Sequence, residues 1–211
     1  MLYAFEHIPE LRGATIERLL NEVSEQRRAY ALRFTHEHGQ YCCLRSWEMV
    51  YELLTAGGYI ADSLPLKALV YATNEYGKPY LEGIRGYISL SHTKNAIAVA
   101  VSRREVGIDI ESIVSLNRLG TPSDEQSLLT RTMSDEEQKE IREAVNPSVK
   151  FTELWTRKEA VFKYLGIGIN MEQMPNLLED KLLRDERLRL ITTTKSDFVC
   201  SVCYEKVPHG M

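Results

Sequence analysis

The sequence predicts an α+β fold in two similar lobes, each with helices packed on a small, mostly antiparallel sheet. Short apolar stretches bounded by turn residues, such as 87–91 and 96–102, are typical of strands joined in a hairpin. Longer stretches with apolar residues along one side, such as 39–55, are typical of amphipathic helices. Both kinds occur in each half of the chain in a similar order, so we expect lobes at residues 1–105 and 106–211.

The N-terminal half is predicted to hold a strand, three helices and then the strands of a sheet. Ser24 is a residue type that caps helices, and Gly57-Gly58 is expected to end the third helix. Residues 74–79 have the composition of a turn. In chain order, the predicted elements are strand 2–5, helices 14–23, 25–34 and 39–55, strand 69–73, and strands 87–91 and 96–102 joined by a turn at 93–95.

The C-terminal half is predicted to open with a strand and to close with a hairpin. The polar, irregular residues 116–133 are interpreted as a mobile loop with at most a short helix. Ser134 and Glu137 form a capping-box pattern at the start of a helix, and Asn146-Pro147 is expected to break it. The predicted elements are strand 106–111, helices 135–145 and 152–165, and strands 188–194 and 198–204 joined by a turn at 195–197.

Composition and charge argue against two function classes. The net charge is −4, from 26 basic and 30 acidic residues, so no overall basic field favours nucleic acid. No apolar run approaches the roughly 20 residues that a membrane-spanning helix needs. Glu6, Glu10 and Arg12 interrupt any signal-peptide pattern, so we expect a cytoplasmic protein that binds neither nucleic acid nor membrane.

The four cysteines occur as two close pairs. Cys200 and Cys203 lie three positions apart in a predicted strand, which sends their side chains to opposite faces. Cys42 and Cys43 are adjacent in a predicted helix and diverge as well. We therefore interpret all four as buried, reduced thiols rather than as zinc ligands or a redox pair.

The strand at 107–111 carries two carboxylates on one face. Asp109 and Glu111 are two residues apart, so their side chains leave the same side of the strand while Ile108 and Ile110 point into a core. An isolated acidic pair of this kind is most often a solvated surface. Within this apolar stretch, however, the two carboxylates would repel each other unless a cation lay between them, and Mg²⁺ prefers such oxygen ligands.

The predicted helix at 152–165 places an acid and a base one turn apart. Glu159 and Lys163 lie on the same side, and as a surface ion pair they would contribute only about 0.3–0.5 kcal/mol. The functional interpretation is that Glu159 supplies a third carboxylate for a metal ion and Lys163 supplies a cation for a phosphate.

Four motifs in order resemble those of the 4′-phosphopantetheinyl transferase superfamily, in its larger single-chain type that activates acyl and peptidyl carrier proteins. The main ones are G-x-D-x-E at 107–111 and W-x-x-K-E-x-x-x-K at 155–163. Tyr76-Gly77-Lys78-Pro79 and Ser89-Leu90-Ser91-His92 precede them. The similarity spans about residues 24–168 and implies a pseudo-twofold pair of lobes with the active site in the cleft between them.

The resemblance implies a metal-dependent transfer from coenzyme A. Asp109, Glu111 and Glu159 would hold Mg²⁺, and Glu159 would serve as the base, directly or through a metal-bound water. Lys163 and Lys158 would stabilise negative charge on the diphosphate. The products would be a carrier protein with a phosphopantetheine arm on a serine, and adenosine 3′,5′-bisphosphate.

Further residues would contact coenzyme A if the resemblance holds. Basic residues of the second helix would reach its 3′-phosphate and adenine, Lys78 would approach the nucleotide, and the Ser-His pair would contact the phosphates. Cys42 occupies a position where the family often has an arginine. Arg45, about one turn further along the helix, is therefore the candidate for the corresponding contact with coenzyme A. The positions concerned are Arg27, Arg28, Arg45, Lys78, Ser91 and His92.

Other functions remain open at this point. A metal-dependent phosphohydrolase could use the same carboxylates with water as acceptor, and a degenerate relative could bind coenzyme A or a carrier without turnover. A purely structural α+β protein would leave the four ordered motifs to coincidence. The expected partners are coenzyme A and an acyl or peptidyl carrier protein, and two lobes in one chain favour a monomer.

Overall fold

The computed structural model describes residues 1–10, 12–113, 122–179 and 187–206. It confirms the predicted α+β class, with helices packed on two antiparallel sheets. The elements are β1 (Leu2–His7), α1 (Gly13–Glu22), α2 (Glu25–Ala31), α3 (Glu37–Ala56), β2 (Tyr71–Thr73), β3 (Pro79–Leu81), β4 (Tyr87–His92), β5 (Ala96–Ser102), β6 (Val106–Ser112), α4 (Pro122–Thr132), α5 (Asp135–Glu143), α6 (Pro147–Leu165), β7 (Leu188–Thr194) and β8 (Phe198–Glu205).

The strands form one five-stranded and one three-stranded sheet. The first has the order β1-β5-β4-β3-β2 and the second the order β6-β8-β7. The predicted hairpin pairs β4 with β5 in antiparallel register, with Ser89 opposite Ala100. All strands of the first sheet precede residue 103, and those of the second sheet follow residue 105.

Strand β5 is apolar along its whole length because both of its faces are covered. Its larger residues, Ile97, Val99 and Val101, belong to the core that α3 completes. Its alanines at 96, 98 and 100 pack instead against β6 and β8 of the second sheet. The small side chains on that face allow the two sheets to approach each other closely.

Gly107 explains how α6 lies against β6. A Cβ atom at this position would stand 2.0 Å from the carbonyl oxygen of Ala160 and 2.3 Å from the backbone nitrogen of Tyr164. Only glycine leaves room for the helix backbone here. Asp109 and Glu111 share this face of the strand with Gly107, so the two carboxylates are directed toward α6.

The largest differences from the predicted elements lie at α4, at β3 and at the start of α6. Residues 122–132 form the regular helix α4 where a loop with at most a short helix was expected, and β3 was not predicted at all. Asn146-Pro147 does more than end α5, because the Asn146 side chain accepts a hydrogen bond from the Val149 amide and caps α6, which Pro147 begins. The remaining residues of the predicted loop, 116–121, lie outside the described ranges.

None of the helices in the described parts of the chain is both long and apolar enough to cross a membrane.

Candidate active site

The acidic pair of β6 meets the Glu/Lys pair of α6, as the motifs led us to expect. Asp109 is almost fully buried, with 1% of its surface exposed. Its Oδ1 accepts hydrogen bonds from Lys163 Nζ at 2.6 Å and from Ser91 Oγ at 2.8 Å. Lys163 Nζ also donates to Ser91 Oγ at 2.9 Å and lies 4.0 Å from a carboxylate oxygen of Glu159.

Burial and nearby carboxylates raise the pKa of Glu111 and of Glu159. Burial raises the pKa of Glu111 to about 7, Asp109 and Glu159 add to the rise, and Lys163 opposes it. Burial likewise raises the pKa of Glu159, with a further contribution from Asp109, while Lys163 and a hydrogen bond from Trp155 act in the opposite direction. Three acids near one ammonium group leave an excess of negative charge, which favours the binding of a cation.

The residues at this site fit Mg²⁺. The ligand atoms are carboxylate oxygens, which this hard cation prefers. Asp109 Oδ2 is buried and has no hydrogen-bond partner among the described residues, so it is available as a ligand. The three carboxylates do not yet bring their oxygens within 4.8 Å of one another, so an ion would require some side-chain movement.

Two adjoining cavities form a groove that leads away from the carboxylates. One, of about 250 Å³, lies between the turn at 76–79, β4 and α6, and Glu159 and Lys163 line it. The other is of similar size and is lined by Arg27 and His92, among others. They share Gly77, Pro79 and Leu90 as lining residues, so the two cavities that form the groove lie side by side between the acidic site and α2.

Arg27 is a buried cation without a carboxylate partner among the described residues. Its Nη2 donates to the carbonyl oxygen of Cys43 and, at 3.4 Å, to Ser46 Oγ. The guanidinium lies over Trp47, 4.8 Å from the ring centroid. Its Nε is buried and has no partner in the described part of the chain, so this end of the groove holds an unneutralised positive charge.

Ser91 and His92 also lie along the groove, as expected. Ser91 bridges Lys163 and Asp109 through its hydroxyl. His92 lines the cavity beside Arg27, and burial, together with the nearby His38 and Lys163, lowers its pKa below the ordinary value. The ring is therefore neutral near pH 7.

Arg45 does not lie in the groove, contrary to its predicted role as a contact for coenzyme A. Its guanidinium pairs with three carboxylates, Glu6 at 2.8 Å and Glu48 and Glu52 at 2.7 Å. These residues line a different depression that shares no lining residue with the groove. Ser46, one residue further along α3, contacts Arg27, whereas the helical phase directs Arg45 toward β1.

Lys158 and Arg28 are not brought to the groove either. Lys158 is fully buried, and its ammonium group pairs with Glu137 and donates to the carbonyl oxygens of Thr132 and Met174, both at 2.8 Å. The next residue, Glu159, faces the groove. Because successive residues of a helix point in different directions, the side chain of Lys158 is turned away from the groove. Arg28 is exposed and lines neither cavity.

Lys78 lines the groove, but its charge is already compensated. Its ammonium group pairs with Glu105 and donates to the carbonyl oxygen of Tyr164 at 2.9 Å. The turn that carries it is fixed by Asn74, whose amide donates to the Gly166 carbonyl oxygen at 2.8 Å. The sequence analysis assigned no role to Asn74, although its place at the start of a Gly-Lys-Pro turn is typical of a side chain that stabilises backbone.

Ser89 is a second residue whose role the sequence did not reveal. Its hydroxyl accepts a hydrogen bond from the Ile108 amide at 3.0 Å, which joins β4 of the first sheet to β6 of the second. Because Ser91 lies two residues further along β4, this contact helps to align Ser91 with Asp109.

Comparison with known proteins points to one superfamily. Residues 105–208 match the family model of the 4′-phosphopantetheinyl transferase superfamily. The 4′-phosphopantetheinyl transferase of Bacillus subtilis is 27% identical over 159 residues, which are 74% of this chain and 65% of that protein. The L-aminoadipate-semialdehyde dehydrogenase-phosphopantetheinyl transferase of Candida glabrata is 27% identical over 114 residues, 51% of this chain and 43% of that protein.

A third relative is part of a much larger protein. The fatty acid synthase subunit alpha of Candida parapsilosis is 30% identical over 126 residues, 57% of this chain and 6% of that protein. The chain thus spans less than two thirds of the length of each of these relatives. The matched region contains both acidic motifs of the site, and in this region the chain is similar to the 4′-phosphopantetheinyl transferase superfamily.

Proposed function

We propose that this protein transfers the 4′-phosphopantetheine group of coenzyme A to a serine of an apo carrier protein and releases adenosine 3′,5′-bisphosphate. One observation carries the proposal: two adjoining cavities lie between an acidic site that contains Lys163 and a buried, unneutralised Arg27. A long ligand with a diphosphate and a separate 3′-phosphate matches such a distribution of charge. The names of the relatives support the same reaction class.

The transfer forms one bond to phosphorus and breaks another. The serine oxygen of the carrier attacks the β-phosphate of coenzyme A and loses its proton, and the bond from this phosphorus to the bridging oxygen of the diphosphate breaks. Glu159 is the proposed acceptor of the serine proton, since it lines the groove one turn from Lys163. The ammonium group of Lys163 stabilises the negative charge that develops on the diphosphate and the leaving group.

Asp109, Glu111 and Glu159 are the residues that would hold Mg²⁺. When bound, this ion supplies neutralisation of charge on the diphosphate. Ser91 then has a positioning role, because its hydroxyl keeps Asp109 and Lys163 in place.

Arg27 and His92 are the proposed contacts for the phosphates of coenzyme A away from the reacting centre. Arg27 has unused donor capacity, and a phosphate is the kind of partner that a guanidinium binds strongly. The neutral ring of His92 donates one hydrogen bond without adding charge.

The acceptor is proposed to be an acyl or peptidyl carrier protein, with the chain acting as a monomer in the cytoplasm. Relatives named for fatty acid synthase and for aminoadipate-semialdehyde dehydrogenase support a carrier as acceptor. We further propose that residues 1–105 and 106–211 are the two lobes of one catalytic unit. The boundary between the two sheets, after residue 102 and before residue 106, supports this division.

Analysis of the coenzyme A products tests the reaction against its rivals. The protein is incubated with coenzyme A and Mg²⁺, with and without an apo acyl carrier protein, and nucleotide products are separated by chromatography. We expect adenosine 3′,5′-bisphosphate only when the carrier is present. Its release without carrier would identify a phosphohydrolase, and binding of coenzyme A without any release would identify a binding protein.

A further inference from the structure

Three potential metal ligands meet beside the groove and away from the acidic site. His38 and Cys42 lie one turn apart on α3, and His92 is the last residue of β4. One ligand atom from each lies within 4.8 Å of the other two, and no other group of three His, Cys, Asp or Glu residues in the described ranges does this. Cys42 Sγ and His38 Nε2 are 3.6 Å apart.

These distances suit a four-coordinate transition metal. With Zn–N bonds of about 2.0–2.1 Å and a Zn–S bond of about 2.3 Å, tetrahedral geometry separates neighbouring ligand atoms by roughly 3.3–3.6 Å. Cys42 and His38 already have this separation, and a ring nitrogen of His92 lies within 4.8 Å of both ligand atoms. His92 is exposed at the end of its strand, which leaves its ring room to rotate.

The types of ligand atom indicate which class of metal ion would bind. One thiolate and two imidazoles suit Zn²⁺ and similar borderline metals, whereas Mg²⁺ requires oxygen ligands. The two sites of the protein therefore differ in chemistry: oxygen ligands at β6 and α6, and nitrogen and sulfur ligands between α3 and β4. Three protein ligands leave the fourth position of the metal open.

We propose that His38, Cys42 and His92 bind Zn²⁺, and that this binding competes with coenzyme A for His92. The first part revises the sequence-based interpretation of Cys42 as a buried, reduced thiol, because the fold places Cys42 beside two histidines. The second part rests on the proposed function, because it takes His92 as a phosphate contact. An imidazole nitrogen that ligates the metal is held roughly 3.3–3.6 Å from the other ligand atoms and cannot also donate to a phosphate.

Cobalt is the probe for the first part. Reduced, metal-free protein is titrated with Co²⁺ in excess Mg²⁺, so that the carboxylate site is occupied and only the nitrogen and sulfur ligands remain. We expect a thiolate-to-cobalt charge-transfer band that saturates at one equivalent and disappears when Zn²⁺ is added. Neither coenzyme A nor a carrier is present, so the result does not depend on the proposed function.

Matched variants assign the band to these residues. His38→Gln and Cys42→Ser should each weaken metal binding by more than the roughly 10–100-fold that loss of an outer hydrogen-bond partner costs. Cys43→Ser and His36→Gln, which change neighbours on the same segment, should bind as the original protein does. Because His38 is only partly buried, His38→Gln should unfold at the same temperature as the original protein.

A missing band, or an unchanged affinity in His38→Gln, would overturn the metal site. Competition is measured by repeating the cobalt titration with coenzyme A present, which should raise the apparent dissociation constant in proportion to its concentration. If coenzyme A binds but leaves the cobalt titration unchanged, the competition is overturned. If coenzyme A does not bind at all, the proposed function fails while the cobalt result stands.

Discussion

At the scale of single residues, the main feature of the candidate site is that it contains more carboxylates than ammonium groups. Asp109, Glu111 and Glu159 face the same side, and Lys163 is the ammonium group that contacts them. The sequence predicted this grouping, because the spacing in a strand and in a helix determines which side chains share a face. It could not reveal the ion-pair partners of Arg45 and Lys158, since these depend on which element packs against each face.

Replacing Glu159 by Gln tests the proposed base. The amide keeps the shape of the side chain but cannot accept the serine proton, so turnover should fall by about 10²–10⁴-fold. Affinity for coenzyme A should remain, as measured by calorimetry. Glu153→Gln, on the same helix but outside the groove, is the control and should keep full turnover. Near-normal turnover in Glu159→Gln would remove this residue from the role of base.

Replacing Arg27 by Gln tests the far end of the groove. Hydrogen bonds to charged groups contribute about 1.5–3 kcal/mol, so affinity for coenzyme A should fall by roughly 10–150-fold. Arg28→Gln removes the same charge from the exposed neighbour and should change the affinity by less than about twofold. If the two substitutions lowered the affinity for coenzyme A equally, Arg27 would contribute only to the overall electrostatic potential of the protein. The thermal midpoint of Arg27→Gln, measured in parallel, identifies any loss of folded protein.

The pKa of Glu111 predicts how the stability of the metal-free protein depends on pH. The ordinary pKa of 4.5 rises to about 7 in the folded protein. Between these values the folded protein retains a proton that the unfolded chain has released, so stability falls as pH rises through this window. Thermal unfolding followed in EDTA should show this decrease, and Glu111→Gln should reduce it. A midpoint that rises with pH over the same range would contradict the assignment.

At the scale of elements, the position of α6 against β6 determines the geometry of the site. The G-x-D-x-E pattern was recognised in the sequence, but the reason for its glycine is a contact between two elements that are distant along the chain. At Gly107 there is no space for a side chain between β6 and the backbone of α6. A close backbone approach of this kind is visible only once both elements are in place.

Gly107→Ala should therefore separate the helix from the strand. The added methyl group would collide with the backbone at Ala160, which cannot give way as a flexible side chain would. Overpacking usually costs about 1–3 kcal/mol, and we expect at least this loss in the free energy of unfolding, measured with urea. Gly13→Ala, where a Cβ meets no atom within 4 Å, should leave stability within about 1 kcal/mol. Similar stability of both variants would contradict the packing argument.

The elements that the sequence predicted well are those with strong local signals. Ser134 and Glu137 form the expected capping box, and the tip at 93–95 joins β4 and β5 as expected. The three residues of β3 carry too short a pattern to be recognised and are stabilised by pairing with β2 and β4. Helix α4 was expected only as a short helix within a loop, because its polar sequence has a weak apolar stripe; it packs against α5.

At the scale of the whole molecule, the groove is the feature that the sequence could not provide. Its walls come from the turn at 76–79, β4, α2 and α6, which are separated by up to about 140 positions along the chain. Motif order indicated that these segments act together, through resemblance to a family. The adjacency of the cavities that hold Arg27 and Lys163 is a property of the assembled sheets and helices.

The most direct test of the proposed transfer is the intact mass of an apo acyl carrier protein after incubation with this protein, coenzyme A and Mg²⁺. We expect a gain equal to one phosphopantetheine group, which is lost in EDTA and in Asp109→Ala and retained in the control Glu153→Gln. If several apo carriers, including acyl and peptidyl types, all keep their original mass while the protein binds coenzyme A, the proposed transfer is contradicted.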